Sequence, residues 1–248
     1  MKKPVKEKLV VRLVRDYPEM NDTDAEKIIM AGRVRVDGVT VDKPGTAVSS
    51  EAVVEIVQGK EFVGRGAFKL QHALTQFNLS PAGLVCADVG SSTGGFTEVL
   101  LKHGAERVYA IDVGYGELDY KLRVDPRVVV MERTNARHLA ALPSPISFVS
   151  IDVSFISLDK ILPVVNGWLT PGARIVALVK PQFEAAREEV GAGGIVRDAT
   201  VHSRVVEEIK AVAIAQGFSV IGECESPILG GDGNKEFLLA LQYPGVGI

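Results

Sequence analysis

The hydrophobic pattern of the chain changes near residue 80. Before that point, apolar residues recur at helical spacing in two short segments and then alternate with polar residues in two short runs. After it, continuous apolar runs alternate with helical stretches. The first pattern is typical of a small α+β unit and the second of a parallel sheet flanked by helices. We therefore predict a small α+β domain followed by an α/β domain.

Two helices are predicted in the first part. The first covers residues 5–15, where the apolar positions at helical spacing are Val5, Leu9, Val10, Leu13 and Val14. The second begins at Asn21 or Asp22, either of which can cap a helix, and stops before Gly32. Its predicted apolar side is formed by Ile28, Ile29 and Met30.

A β-hairpin is predicted over residues 34–41. Two alternating runs are joined there by Asp37 and Gly38, and a type I′ turn needs positive φ at both central residues, which favours this dipeptide. Residues 53–57 supply one more short strand.

Residues 25–38 and 41–45 carry a family resemblance. They read Ala-Glu-Lys-Ile-Ile-Met-Ala-Gly-Arg-Val-Arg-Val-Asp-Gly and Val-Asp-Lys-Pro-Gly. This segment resembles the RNA-binding domain shared by ribosomal protein S-four, pseudouridine synthases and tyrosyl-tRNA synthetases. The resemblance implies that the second helix and the hairpin bind structured RNA through basic residues, which match at Lys27, Arg33, Arg35 and Lys43.

The match departs from the family at two places. The family usually opens with Arg-Leu-Asp, where this chain has Lys8, Leu9 and Val10, and it often has a basic residue where this chain has Asp24. The first 15 residues hold six basic groups and one acid, an excess that can bind phosphates or can simply be solvated. The predicted RNA contacts are completed by Lys8, Arg12 and Arg65. The alternative is a small domain that only docks a partner protein.

The domain boundary is predicted at a glycine-containing charged segment. Gly59, Gly64 and Gly66 lie there among charged residues, which is typical of a flexible connection. The predicted organisation is an RNA-binding domain over residues 1–58, a linker over 59–66 and a catalytic domain over 67–248.

The start of the second domain predicts a nucleotide-type pocket. A buried strand ending in Asp88 leads into a glycine loop and a helix, and a second strand ends in Asp112. Glycines allow the backbone to approach a ligand, the helix start offers free N–H donors, and an acid after the second strand accepts hydrogen bonds from ribose hydroxyls. An adenosine-bearing ligand fits this arrangement.

S-adenosylmethionine fits the loop better than NAD does. The glycines are spaced Gly-x-x-x-Gly-Gly, which lacks the pyrophosphate cradle, and Asp88 would repel phosphate but could orient the methionine ammonium. Asn135 could reach the adenine ring or could be a turn residue. The predicted cofactor residues are Asp88, Gly90, Ser91, Thr93, Gly94, Gly95, Phe96, Asp112, Val113 and Asn135.

The predicted sheet brings charged residues to one edge. Further strands are predicted at residues 128–131, 146–152, 174–179, 218–223 and 236–241. Ligands in such sheets bind at the carboxyl ends of parallel strands, where Asp88, Asp112, Asp152 and Lys180 all fall.

The candidate catalytic residues are Lys69, Asp152, Lys180 and Glu236. Charged residues that end apolar strands are costly unless they are paired, and two lysines with two acids in one cleft would compensate one another. A ribose hydroxyl is a very weak acid, so its methylation benefits from a general base. Each residue also has a plainer interpretation: Lys69 on a solvated helix face, Asp152 as a loop cap, Lys180 turned to water and Glu236 in a surface pair.

The Lys-Asp-Lys-Glu order resembles the FtsJ-type ribose 2′-O-methyltransferases. The surrounding motifs resemble more closely the TlyA family of bacterial ribosomal-RNA methyltransferases, many of which carry the name hemolysin. The matching motifs begin at Asp88, Asn135, Asp152, Lys180, Gly193 and Gly233. The resemblance covers nearly the whole chain. It implies cytidine 2′-O-methylation in ribosomal RNA, with Lys180 as the base and Lys69, Asp152 and Glu236 positioning and tuning it.

Composition narrows the class of protein further. No apolar run approaches the length of about 20 residues that a membrane span needs. Cys86 and Cys224 are too few for a metal cluster or a disulfide framework. We therefore expect a cytoplasmic protein with ribosomal RNA or ribosomal subunits as its partner, and with no membrane or metal.

Three other interpretations stay open. A base methyltransferase is disfavoured, because amino-directed enzymes favour Asn/Asp-Pro-Pro-Tyr where this chain has Asp152-Val-Ser-Phe, and neither cysteine stands at the fourth or fifth strand end. A membrane-active hemolysin would need an apolar or basic amphipathic segment. An RNA-binding assembly factor could keep the fold without turnover.

Overall fold

A computed structural model describes residues 6–30, 32–57 and 62–245. The chain forms two compact units, residues 1–61 and residues 62–248. Phe62 is buried in the core of the second unit. The predicted linker of residues 59–66 therefore overlaps the second unit at 62–66, while residues 59–61 lie outside the described residues.

The first unit combines two helices with short antiparallel strands. The helices are α1, Leu9–Asp16, and α2, Asp22–Met30. The strands are β1, Lys6–Lys8; β2, Val34–Val36; β3, Val39–Thr40; β4, Ala47–Ser49; and β5, Val54–Ile56. One face of each helix covers a small core whose fully enclosed members are Leu9, Leu13, Ala25, Ile29, Val34 and Val48.

The hairpin forms as predicted. Asp37 and Gly38 have φ values of 50° and 79°, which is the left-handed pair that a type I′ turn requires. β2 pairs with β3 on one side and with β5 on the other, both antiparallel. The Asn21 side chain accepts a hydrogen bond from the Asp24 N–H, 2.9 Å away, and so caps α2.

Two helix predictions need correction. The first helix begins at Leu9 and not at residue 5, because Lys6–Lys8 pairs with β4 as a strand; β1 and β4 form a sheet that the alternation of so few residues did not reveal. Met30, predicted on the apolar side of the second helix, is 61% exposed at the helix end, whereas Ile29 is buried. Val5 lies outside the described residues.

The second unit is a seven-stranded sheet in the order β11-β12-β10-β9-β6-β7-β8. β6, β7, β8, β9 and β10 run parallel, and β12 and β11 continue the sheet antiparallel. The strands are β6, Val85–Val89; β7, Arg107–Ile111; β8, Val128–Met131; β9, Ile146–Ile151; β10, Leu169–Val179; β11, Ser219–Glu225; and β12, Phe237–Gln242.

Helices cover both faces of this sheet. They are α3, Ala67–Gln76; α4, Gly95–Lys102; α5, Tyr120–Arg123; α6, Leu162–Asn166; α7, Pro181–Glu184; and α8, Ala199–Ala215. α3, α4 and α5 pack on one face and share one core cluster, whereas α6 and α8 pack on the other. The predicted fold, a largely parallel sheet flanked by helices and preceded by a small α+β domain, is confirmed. β10 begins earlier than predicted, at Leu169.

Candidate active site

A cavity opens at the carboxyl ends of the parallel strands. It has a volume of about 520 Å³, and its walls come from the segments that follow β6, β7, β8 and β9. A smaller cavity of about 120 Å³ lies beside it, between residues 64–66 and the glycine loop. Gly90, Ser92 and Asp152 line both cavities. The strand ends therefore form two adjacent cavities with shared walls, at the edge where the fold predicts a ligand site.

The loop glycines are required by protein packing. Gly90 and Gly94 have φ values of 85° and 97°. A Cβ at Gly90 would strike the backbone carbonyl of Asp152, and one at Gly94 would strike the side chain of Leu122. The approach of a ligand to these glycines stays a prediction.

Asp88 differs from its prediction, because its side chain does not line either cavity. It has no solvent exposure. Its Oδ2 accepts a hydrogen bond from Thr97 Oγ1 at 2.7 Å and its Oδ1 accepts one from Ser150 Oγ at 2.9 Å. Burial raises the pKa of this carboxyl from 3.8 to about 6, against the two hydroxyl donors, which lower it. Asp88 therefore joins the first turn of α4 to β9.

Asp112 faces the larger cavity, as predicted. Its Oδ2 accepts a hydrogen bond from Ser92 N at 2.8 Å and its Oδ1 accepts one from Gly114 N at 2.7 Å. Each oxygen keeps a further lone pair, which leaves the carboxylate able to accept two more hydrogen bonds from a ligand.

The other predicted cofactor residues divide between the two cavities. Gly90, Val113 and Asn135 line the larger one. Gly90, Ser91, Thr93, Gly95 and Phe96 line the smaller one. Gly94 lines neither. The Asn135 Oδ1 accepts a hydrogen bond from Arg137 N at 3.1 Å, so this side chain is also the turn residue of the alternative interpretation.

Lys69 and Glu236 form a buried ion pair. Lys69 Nζ lies 2.5 Å from Glu236 Oε2, and the two residues are 7% and 3% exposed. Lys69 projects from the first turn of α3, and Glu236 directly precedes β12. The plainer interpretations, a solvated helix face for Lys69 and a surface pair for Glu236, are therefore wrong.

Lys180 and Asp152 form a second ion pair, at the cavity wall. Lys180 Nζ lies 2.6 Å from Asp152 Oδ1 and donates a hydrogen bond to Ser154 Oγ at 2.9 Å. Asp152 directly follows β9 and Lys180 directly follows β10, which are neighbouring parallel strands. The register of the sheet therefore brings this pair together from positions 28 residues apart.

The two ion pairs meet at the same edge of the sheet. Val179 and Phe237 are paired across β10 and β12, so Lys180 and Glu236, the residues beyond them, lie side by side. On the other side, a Cβ built on Gly66 would lie 3.8 Å from Asp152 Oδ2, and Gly66 immediately precedes the helix that carries Lys69. All four predicted catalytic residues thus converge beside the smaller cavity.

Asn234 holds the loop that carries Glu236. It is fully buried. Its Oδ1 accepts a hydrogen bond from Val196 N at 3.0 Å, and its Nδ2 donates one to Gly194 O at 2.8 Å. The segment after β10 and the segment before β12 are therefore joined by one side chain, a role that its place in a glycine-rich motif did not predict.

Sequence reasoning missed Phe155, an exposed aromatic residue at the cavity mouth. The ring is 90% exposed, the backbone has a φ of 63°, and Phe183 lies 4.9 Å away between ring centroids. A bulky residue with positive φ is an outlier whose strain the surrounding structure must sustain. Its place three residues after Asp152 could have indicated it, but hydrophobic periodicity does not set this position apart from its neighbours.

The predicted RNA contacts of the first unit separate into internal and exposed groups. The side chain of Arg12 is only 13% exposed. It is engaged by Asp16 at 2.5 Å and by the carbonyls of Ser49, Ser50 and Ala52. Arg12 is therefore a structural residue, which corrects its prediction as an RNA contact.

The remaining basic residues lie at the surface. Lys27 forms an ion pair with Asp24 at 3.5 Å, and Arg33 donates to the Val57 carbonyl at 3.3 Å. Lys8, Arg35 and Lys43 are exposed. In the second unit, Arg65 is exposed and lines the smaller cavity. These six residues stay predictions as RNA contacts.

Three further observations bear on the alternatives. Burial raises the pKa of the Cys86 thiol to about 12, which opposes a nucleophilic thiolate there. Among the helices of the described ranges, none has both the length and the apolar character of a membrane span. Residues 6–30, 32–57 and 62–245 contain no group of three His, Cys, Asp or Glu side chains arranged to hold a metal ion.

Comparison with known proteins connects this geometry to a family. The family model described as FtsJ-like methyltransferase matches residues 62–243, and the one described as S4 domain matches residues 23–54. YqxC of Bacillus subtilis (strain 168), which is named as an rRNA methyltransferase, is 47% identical over 248 residues, covering 98% of this chain and 88% of its own.

Two other relatives agree over most of the chain. TlyA of Mycobacterium tuberculosis (strain CDC 1551 / Oshkosh), named a 16S/23S rRNA (cytidine-2′-O)-methyltransferase, is 46% identical over 234 residues, covering 93% of this chain and 87% of its own. A solved structure from Streptococcus thermophilus, which bears the name hemolysin, has 44% identity and a TM-score of 0.73, covering 98% of this chain and 90% of that one. The chain belongs to the FtsJ-like methyltransferase family and carries an S4 domain in front of the methyltransferase fold.

Proposed function

We propose that this protein transfers a methyl group from S-adenosylmethionine to the ribose 2′-hydroxyl of a cytidine in ribosomal RNA. The observation that carries the proposal is the convergence of two lysine–carboxylate pairs beside the pocket at the strand ends. The name of the M. tuberculosis relative supports the substrate.

The pocket fits S-adenosylmethionine in size and in chemistry. A volume of about 520 Å³ lies in the range typical of small-molecule sites, and its apolar walls include Val89 and Ile111. Asp112 would accept hydrogen bonds from the ribose hydroxyls, and Asn135 would contact the adenine. The loop residues Gly90 and Ser91 would hold the methionine end. When bound, the cofactor supplies an electrophilic methyl group on a sulfonium.

Lys180 is the proposed proton acceptor. Its amine is held by Asp152 and Ser154 at the wall of the cavity, so it is fixed in direction before a ribose arrives. An amine accepts a proton only in its uncharged form, in which Lys180 Nζ would take the proton of the 2′-hydroxyl. The 2′-oxygen would bond to the methyl carbon as the carbon–sulfur bond breaks, and the electron pair of that bond would stay on sulfur. The Lys69–Glu236 pair is buried, and its two opposite charges compensate each other where water does not reach them.

The RNA is held by exposed basic groups and an aromatic ring. Lys8, Arg35 and Lys43 in the first unit, and Arg65 in the second, would bind phosphates. Phe155 offers an exposed ring beside Asp152 on which an unstacked base can lie, since aromatic side chains bind single-stranded bases in this way.

The decisive experiment is methylation of ribosomal RNA by the purified protein. Ribosomal subunits from cells lacking the gene are incubated with the protein and with S-adenosylmethionine labelled in the methyl group. We expect label in alkali-resistant dinucleotides, because a 2′-O-methyl group blocks alkaline cleavage, and we expect the labelled nucleoside to be cytidine.

The other outcomes identify the rival functions. Label in alkali-sensitive nucleotides with a methylated base would show a base methyltransferase. RNA binding without any label, together with no binding of S-adenosylmethionine by calorimetry, would show an assembly factor. Leakage of liposomes at the same protein concentration, with no label, would show a membrane-active protein. Each result contradicts ribose methylation.

A further inference from the structure

Two segments that follow neighbouring strands form the wall around Lys180. One is residues 152–158 after β9, which contains Asp152 and Ser154. The other is residues 180–184 after β10, which contains Lys180 and α7. At the end near the sheet, the two segments are joined by the contacts of Lys180 with Asp152 and Ser154.

A third contact joins the segments at the end away from the sheet. Glu184, the last residue of α7, accepts a hydrogen bond on Oε1 from the backbone N–H of Leu158, 2.9 Å away. Leu158 is 1% exposed and opens a short 3-10 helix, Leu158–Lys160, that ends the loop. The loop between Asp152 and Leu158 is therefore fixed to the Lys180 segment at both of its ends.

The loop between these two contacts needs an anchor. It carries Phe155 with a φ of 63°, and residues 152–156 line the larger cavity. Backbone strain of this kind persists only where the surroundings hold it. The Phe155 and Phe183 rings pair across the two segments, at 4.9 Å with a tilt of 49°, and Leu158 packs in the core, so the hydrogen bond to Glu184 adds a polar contact to the apolar ones that hold the loop's end.

Glu184 occupies a position where a carboxyl is disfavoured by its surroundings. The side chain is half-buried, and burial raises its pKa, with Asp159 adding to the rise and the Leu158 N–H and the Ser157 side chain opposing it. An apolar residue would avoid this desolvation but would leave the buried Leu158 N–H without an acceptor. The carboxyl is therefore explained by the hydrogen bond that it accepts.

We propose that Glu184 is a positioning residue that fixes the loop of residues 152–158 so that Asp152 and Ser154 hold Lys180 at the cavity. The inference rests on the proposed methylation, in which Lys180 accepts the proton. Glu184 acts through this loop and not directly on the reacting atoms.

The test compares three variants in single-turnover methylation at saturating cofactor. Glu184→Met removes the acceptor at similar length, and Glu184→Gln keeps an acceptor oxygen. Glu188→Met makes the same change at an exposed carboxylate in the 3-10 helix Arg187–Glu189 that follows α7. We expect the Glu184→Met rate to fall about tenfold to a hundredfold, with a smaller change in cofactor affinity measured by calorimetry. Glu184→Gln and Glu188→Met should stay close to the wild-type rate.

If the role of Glu184 were purely structural, Glu184→Met would not lower the rate more than the cofactor affinity, and Glu184→Gln would not restore the rate. An unchanged rate in Glu184→Met, or a rate in Glu184→Gln as low as in Glu184→Met, would overturn the proposal. If Glu184→Met does not fold, the test uses Glu184→Gln together with amide exchange of Leu158 in the wild-type protein. The proposal then requires that the Leu158 amide is protected from exchange and that the Glu184→Gln variant methylates RNA at close to the wild-type rate. It fails if either result is absent.

The failure of the proposed function would be recognised separately. In that case the wild-type protein transfers no methyl group to ribosomal RNA, while the protection of the Leu158 amide and its loss in Glu184→Met remain measurable. Normal methylation by the wild type, with no effect of Glu184→Met, would instead remove only the positioning role.

Discussion

The charged residues at the strand ends fall into two regions with different surroundings. Behind the sheet edge, Lys69 and Glu236 are buried together and line neither cavity. The side chains of Lys180 and Asp152 are 11% and 21% exposed; Asp152 lines both cavities, and Lys180, which lines neither, contacts it. We therefore expect the first pair to matter most for folding and the second, through Asp152 at the cavity, for the proposed chemistry.

The physical basis of this difference is desolvation. Removing one partner of a buried ion pair leaves a charge that water does not reach, which costs about 3–5 kcal/mol. Removing one partner of a pair that water reaches in part costs less, because water replaces some of the lost contact. Removing one partner should therefore lower stability more at the Lys69–Glu236 pair and activity more at the Lys180–Asp152 pair.

The largest expected effect is on activity at Lys180. Lys180→Ala removes the proposed proton acceptor, and the loss of a general base typically lowers the rate about 10²–10⁴-fold. Cofactor affinity should change by no more than a few-fold, since Lys180 does not hold the cofactor. Single-turnover methylation and calorimetry measure the two quantities. A variant that keeps most of its activity would remove Lys180 from the mechanism.

The next effect is on stability at the buried pair. Lys69→Met and Glu236→Met each leave a buried charge without its partner, and each should lower the free energy of unfolding by about 3–5 kcal/mol in urea denaturation. The double variant Lys69→Met/Glu236→Met should recover most of the stability without recovering methylation. Equal stability of the single variants and the wild type would contradict the buried position of this pair.

Asp88 is a third buried carboxyl, and its contribution to stability should depend on pH. Its pKa is raised to about 6 in the folded protein, so the folded state binds this proton more tightly than the unfolded state does. The associated stability is fully present below about pH 4 and is lost as pH rises through 6, a change on the order of 3 kcal/mol.

The asparagine variant isolates this titration. Asp88→Asn keeps the shape of the side chain and has no titrating proton, so its stability relative to the wild type should rise between pH 4 and pH 6 and then stay constant. Urea denaturation across pH 4–8 measures the difference between the two proteins. A difference that does not depend on pH would show that Asp88 does not titrate in this range.

The smallest effect is expected at Phe155, whose side chain is far more exposed than those of the two ion pairs. Stacking of a base on an aromatic ring contributes about 1–3 kcal/mol, so Phe155→Ala should weaken RNA binding by about this amount. Stability should stay close to the wild type, because the ring buries little surface. Binding of ribosomal subunits and thermal unfolding check the two expectations, with Phe68→Ala as a control at a partly exposed ring on α3.

Much of the fold follows from local pattern. The Asp37-Gly38 turn, the strands after residue 80 and the charged residues beyond them were predictable, because side-chain period and turn geometry depend on residues close together in the chain. The pairing of Lys6–Lys8 with Ala47–Ser49 was not, because strands this short have too few positions to show a period.

The roles of individual polar residues depended on contacts between distant segments. Arg12 reads as a surface base in a basic stretch, yet the carbonyls of residues 49–52 enclose it. Asp88 reads as a pocket residue, yet Thr97 and Ser150 enclose it. Burial is set by what packs from elsewhere in the chain, and the sequence does not encode it locally.

By itself, the sequence determined the longer helices and strands, the division into two parts and the set of four charged residues proposed for catalysis. The tertiary structure decided which partner each charge has: Lys69 with Glu236 and Lys180 with Asp152. The reason is that spacing along the chain fixes which end of a strand a residue occupies, whereas the order of strands in the sheet fixes its neighbours. That order is set by packing between segments far apart in sequence.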